Sequence, residues 1–350
     1  MDEFETESEH ETWVPPHLIP SRAIIYLRYE KSPEKSFETS DDEILYQALR
    51  QLENNAAHIA GTVTESADGT VLPNAWNPSC IAGPLGSPLA HAISTRPEVV
   101  GLGEDRNGQL LVAASMSGVI GFYAPRSSET VGRGRLCFLG HDVRDVRHSW
   151  MKSLEIGDEI LELYEADDDF DLRAAIADIV PRAHLVKGRF WDTVHFDART
   201  NYALAIREFE KAGIEIIPTE DVITDECREA ALLAAQTRPD GAAQQKFQEI
   251  RASYRMPVDD GIILLPTSGL PAPAIRDWPL SVGRYDPDPF ETIMPVVLGN
   301  YAMVTVPNGH SAEGLPMGLT IAAPVHLTAR LLALAEWFCR TTRWPTLARV

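Results

Sequence analysis

The residues best suited to chemistry lie in GEDRNGQLL, Gly103 to Leu111, where Asp105, Asn107 and Gln109 alternate around Gly108. A carboxamide donates hydrogen bonds and a carboxylate accepts them, so these three could polarise a ligand carbonyl, with Asn107 and Gln109 donating to it and Asp105 beside them. They supply no nucleophile, because a glutamine amide forms no acyl-enzyme. Hydroxyls and a thiol stand near in the chain: Ser79, Cys80 and Ser87 before this stretch, Ser115 and Ser117 after it. A serine attacks only when a neighbouring base takes its proton, and none of the five has a base at a recognisable spacing. His91 falls on a helix face, where a structural or solvated role is the simpler reading. His141 and Asp142, in LGHDVRDV, read as structural too.

Other chemistries are signalled weakly. VVGLGEDRNG has Gly101 and Gly103 after a Val pair, but Arg106 occupies the third glycine position of a dinucleotide loop. Asp158 to Asp171 is dense in carboxylates yet lacks the loop glycine and closing glutamate of a calcium hand, so it reads as a solvated helix face and turn. Cys80, Cys137, Cys227 and Cys339 lie far apart, which suggests neither a zinc site nor a disulfide framework. Trp76, Trp191, Trp278 and Trp337 share no spacing and read as packing. The expectation is no metal and no cofactor. With 51 acidic residues against 31 basic, the formal charge of −20 disfavours a nucleic-acid or anionic-membrane surface. The start MDEFETESEHETW is acidic, unlike a targeting peptide, and no run of roughly 18 apolar residues could span a bilayer. A cytoplasmic setting with free thiols is expected.

These residues need elements to hold them. Residues 1–20, acidic and then bearing Pro15, Pro16 and Pro20, read as a flexible arm, and residues 21–345 as one domain. RAIIYLRY (Arg22 to Tyr29) predicts a strand, and Ile44, Leu45, Ala48, Leu49 and Leu52 follow helical spacing. A short apolar run from His58 to Val63 leads into a Gly-, Pro- and Ser-rich loop region reaching Leu102. Thr200 to Lys211 reads as a helix ended by Gly213, followed by a strand from Ile214 to Ile217 that stops before Pro218. Gly261 to Leu265, Ala302 to Val306 and Met317 to Ala322, each bounded by Pro or Gly, read as central strands. A last helix, Leu327 to Arg340, sets Leu327, Leu331, Leu334 and Phe338 on one face. The mixture through the whole length predicts one layered α/β domain.

Several segments together resemble the amidase signature family. DGIILLPTSGLPAP (Asp260 to Pro273) and GNYAMVTVPNGHSAEGLPMGLTI (Gly299 to Ile321) follow the order of its closing part, with Asn300, Val306, Pro307, Gly309, Gly314, Leu315, Pro316, Gly318 and Leu319 in place. Tyr301 and Ala302 stand where glycine is usual, and Thr320 where glutamine is. Upstream, AASMSGVIGFYAPR (Ala113 to Arg126), NPSCIAGPLGSPLAHA (Asn77 to Ala92) and AAHIAGTV (Ala56 to Val63) resemble earlier segments of the family. The likeness implies a central mixed β-sheet covered by helices on both faces, with a shortened N-terminal part.

The family hydrolyses amides with a serine nucleophile, a second serine after a cis peptide, and a lysine that accepts the proton. The segment GEDRNGQLL sets Gln109 at the nucleophile position, and AGPLGSP (Ala82 to Pro88) sets Pro84 at that of the second serine. Proline has no hydroxyl to relay a proton. The nearest counterpart of the lysine is Arg28, which stays protonated and makes a poor base. The family's oxyanion-binding backbone falls around Asn107 and Gly108. The resemblance therefore implies a degenerate amidase whose pocket candidates are Gly83, Leu85, Asp105, Asn107, Gly108 and Gln109. The partners left open are a small amide or acyl ligand, another protein, or a second copy of the chain. Two alternatives stand beside this reading: an enzyme retooled around non-standard residues, and a binding or regulatory subunit.

Overall fold

A computed structural model describes residues 24–28, 56–60, 72–84, 87–97, 99–105, 107–124, 135–153, 176–177, 179–220, 222–234, 241–258, 261–277 and 289–346. The acidic arm, the helix expected near residue 44 and the carboxylate-rich stretch from Asp158 lie outside them. Among the described residues ten strands form a single sheet. They are β1 (Ile24–Arg28), β2 (Ala56–Ala60), β3 (Val100–Asp105), β4 (Ile120–Tyr123), β5 (Arg135–Gly140), β6 (Arg182–Val186), β7 (Glu215–Thr219), β8 (Ile262–Pro266), β9 (Ala302–His310) and β10 (Pro316–Ala323). Their order is β2-β1-β3-β5-β4-β9-β10-β8-β6-β7. The two ends of the sheet are parallel, β2-β1-β3 and β8-β6-β7, and the centre is antiparallel. The sheet is mixed, as expected.

Helices cover both faces, and the pleat decides which residue serves which face. In β8, Ile263 and Leu265 enter one apolar cluster while Ile262 and Leu264 enter the other, and in β9 Met303 alternates with Ala302 and Val304. The first face carries α1 (Ser87–Ser94), α2 (Gln109–Ser117), α5 (Asp225–Ala234), α6 (Gly241–Ser253) and α7 (Met294–Leu298). The second carries α3 (Val143–Ser153), α4 (Phe196–Lys211) and α8 (Thr328–Thr342). On α8 three of the four predicted stripe residues, Leu331, Leu334 and Phe338, are fully buried, each contributing roughly 1.5–3 kcal/mol of burial free energy, while Leu327 lies half-buried in the turn before the helix.

Several boundaries differ from those read in the sequence, each for a local reason. Strand β7 runs through Pro218 to Thr219, because it is an edge strand and a missing N–H there breaks no ladder. Helix α4 starts at Phe196, before the expected Thr200, with the His195 ring accepting from the Asp197 N–H at 3.3 Å. The region read as loop up to Leu102 holds α1 and the first residues of β3. At Gly318 a Cβ would lie 2.6 Å from the Ser115 hydroxyl, so glycine lets α2 settle onto β10.

Candidate functional site

Strand β3 ends at Asp105 and α2 begins at Gln109, so the reversal from strand to helix is made in three residues. Gly108 makes it possible, at φ 79° in the left-handed region that side chains disfavour. The turn is fastened by its own carboxylate. Asp105 Oδ1 accepts from the N–H groups of Asn107 and Gln109, each at 3.0 Å, and Oδ2 accepts from Leu110 at 2.8 Å. These are among the N–H groups that a helix start leaves without partners, and a negative charge there also suits the helix dipole. Asp105 is fully buried. Burial pushes its carboxyl up from the ordinary range to about 6, although the backbone N–H donors pull the other way.

The remaining candidates occupy distinct places around this turn. Gln109 is buried, and its Nε2 donates at 2.9 Å to the carbonyl of Ala234, the last residue of α5. Gly108 is covered: a Cβ built there would lie 2.7 Å from Ile293 Cδ1 and 3.0 Å from Val297 Cγ2. Gly83 packs on Ala113, one turn along α2 from Gln109, where a Cβ would come within 2.8 Å. Beside it the Ser117 hydroxyl donates to Ala82 O at 2.7 Å. Pro84 is buried, and Leu85 lies outside the described residues. The backbone of Arg28 lies one step beyond the Leu27–Gly103 register pair, which brings it to the same end of the sheet as Asp105.

Most of the nearby hydroxyl and thiol groups are buried. Ser115 and Ser117 are buried on α2, and burial together with the charge of Glu313 raises the Cys80 thiol. His91 is pushed toward its neutral form by burial. His141 Nε2 sits 2.6 Å from the Ile93 carbonyl, and Asp142 accepts from the Arg144 N–H that opens α3. Thr320 donates to the hydroxyl of Thr267, which also bonds Thr305 at 2.6 Å, all three fully buried. Among the described residues no cluster of His, Cys, Asp and Glu could hold a metal, and no helix is long and apolar enough to cross a membrane.

Two features were not read from the sequence. Arg135, the register partner of Asp105 on β5, is buried, with Nη1 donating to Tyr301 O at 2.6 Å and Nη2 to Asn300 Oδ1. Its guanidinium lies 4.7 Å from the ring centre of Tyr123. The only signal was Asn300, a position of the closing segment whose partner lies 165 residues away. The second feature is a cleft of about 190 Å³ on the opposite face, lined by His141, Asp142, Glu336, Arg340 and Trp344 among others, which includes none of the pocket candidates.

The fold of this chain is similar to that of solved amidase-type structures. A solved structure described as an amidase matches with TM-score 0.64 over 92% of this chain and 84% of its own, at 15% identity. A 6-aminohexanoate cyclic dimer hydrolase bound to its substrate matches with TM-score 0.61 at 15% identity, over 92% and 85%. A glutamyl-tRNA(Gln) amidotransferase subunit from Thermotoga maritima gives 0.61 at 16% identity, over 93% and 85%. At such identities the likeness is one of fold. By sequence, neither a protein-family model nor a curated relative matches the chain.

Proposed function

We propose that this protein descends from the amidase signature family, no longer carries out serine hydrolysis, and acts by binding a partner protein or a small amide or acyl ligand. One observation carries the reading. The residue at the nucleophile position, Gln109, spends its amide on a helix end, while Ile293 and Val297 sit on the glycine beside it. Hydrolysis needs fixed donors free to meet an oxyanion, but the N–H groups of Asn107 and Gln109 already donate to Asp105. A covered corner favours a partner surface over a retained pocket. A role as one component of an assembly fits this reading, since one similar structure is described as a subunit.

The test is turnover by the purified protein on a panel of simple amides and esters. No rate above a mock preparation is expected, and Gln109→Ser should create none, because restoring a hydroxyl supplies neither a base nor an open corner. Turnover that disappears in Gln109→Ala would instead establish the retooled-enzyme alternative.

A further inference from the structure

The stretch Phe290–Leu298 has no strand pairing, yet each of its residues is buried. Its apolar side chains belong to the first-face cluster, and it is also fastened at three points. Glu291 Oε1 accepts from Arg228 Nε at 2.7 Å, the Thr292 hydroxyl donates to Thr267 O at 3.0 Å, and the side chains of Ile293 and Val297 rest on Gly108. Helix α5 supplies both Arg228 and, at its far end, the Ala234 carbonyl that holds Gln109. The stretch and α5 thus form a two-part cap over the start of α2. The ion pair straddles the boundary with water, since the Glu291 side chain is 5% exposed and that of Arg228 is 45% exposed.

We infer that Phe290–Leu298 is an occluding strap over Gly108 and Gln109 whose closure is set by the Arg228–Glu291 ion pair. A carboxylate kept out of water is tolerated while its counter-charge is in place and strongly disfavoured once that charge leaves. The strap has no ladder bonds to resist, so losing the pair favours local opening rather than unfolding of the sheet. Arg228 is the half that solvent, salt or a partner's carboxylate can reach. Opening would lift Ile293 and Val297 off Gly108 and uncover the start of α2 with the Gln109 carboxamide beside it, suited to a neutral molecule with one hydrogen-bonding end. The inference rests on placing the degenerate site at Gly108 and Gln109, and on nothing about catalysis.

Amide hydrogen exchange on the full chain, without any substrate, tests it. Arg228→Gln, which leaves the buried Glu291 carboxylate without its counter-charge, is expected to speed exchange at residues 107–112 and 290–298 by at least about tenfold while β9 and β10 keep their protection. In the wild type, raising salt from about 0.05 M to about 1 M should move the same residues in the same direction, by less. Glu291→Gln removes the buried charge itself, so it should speed exchange at the same residues by less, and it keeps the strap testable if Arg228→Gln fails to fold. Unchanged exchange in Arg228→Gln, or an equal rise through β9 and β10, overturns the strap. Amide turnover found alongside the expected exchange pattern would overturn the functional proposal and leave the strap standing.

Discussion

Two carboxylates are buried on opposite faces of this sheet, and they are neutralised in opposite ways. Asp105 is met by backbone N–H groups at the start of α2 and, among the described residues, by no cation that hydrogen-bonds it. Glu336, on α8, is met by three guanidinium groups: Arg144 at 2.8 Å and Arg147 at 3.2 Å from α3, and Arg340 at 2.6 Å from one turn along its own helix. Burial raises the Asp105 carboxyl to about 6, because partial charges on amides hold a turn in shape but offset the loss of water only in part. Full charges clamp two helices together, and they leave more behind when one partner is removed. The first arrangement shapes a site and the second fastens a scaffold.

The largest expected effect is therefore at the scaffold. Glu336→Ala leaves three arginines around an empty position and should lower unfolding free energy by about 3–5 kcal/mol in denaturant titration. A loss below about 1 kcal/mol would mean that water already compensates the cluster, and the contrast with Asp105 would fail.

The Asp105 effect depends on pH. Its folded-state carboxyl titrates near 6 against an ordinary 3.8, so the folded protein binds the proton more tightly than the unfolded chain. Its contribution is greatest below about pH 4, is lost as pH rises from about 4 to about 6, and does not change above that; the total is about 3 kcal/mol. Stability curves of the wild type and Asp105→Asn should converge or diverge in that window alone. Parallel curves from pH 4 to 7 would show that Asp105 titrates normally.

Smaller losses follow where one neutral bond is at stake. Gln109→Ala leaves the Ala234 carbonyl without its donor and should cost about 1–2 kcal/mol, seen as a lower denaturation midpoint with unchanged slope. Smallest is the difference between two members of the arginine cluster. Arg147, 14% exposed, should cost more on truncation than Arg144, 43% exposed, because the more exposed pair is better screened. A double-mutant cycle with Glu336→Ala measures each coupling.

The sequence was most legible where the pattern is local. The last strands stood out because each is an apolar run closed by Pro or Gly, and α8 because Leu331, Leu334 and Phe338 repeat at helical spacing. Strands such as β6, RAHLV, and β3, VGLGED, are short and carry glycine or polar residues, so no period marks them. At the site, the residue types from Asp105 to Gln109 were plain. That Asp105 caps the helix was not, because the same residues could equally have faced a ligand.

What the amino-acid sequence determined by itself is the alternation that builds the two faces of the sheet and the residue types at Gln109 and Pro84, neither of which carries a hydroxyl, both properties of residue type and order. What only the tertiary structure decided is the fate of those positions. Gln109 meets Ala234 across 125 residues, and Gly108 meets Ile293 from a segment that joins it only when α5 and α7 pack together. Such contacts follow from the shape of the whole core, since a buried carboxamide must find whichever backbone group the packing leaves unpaired.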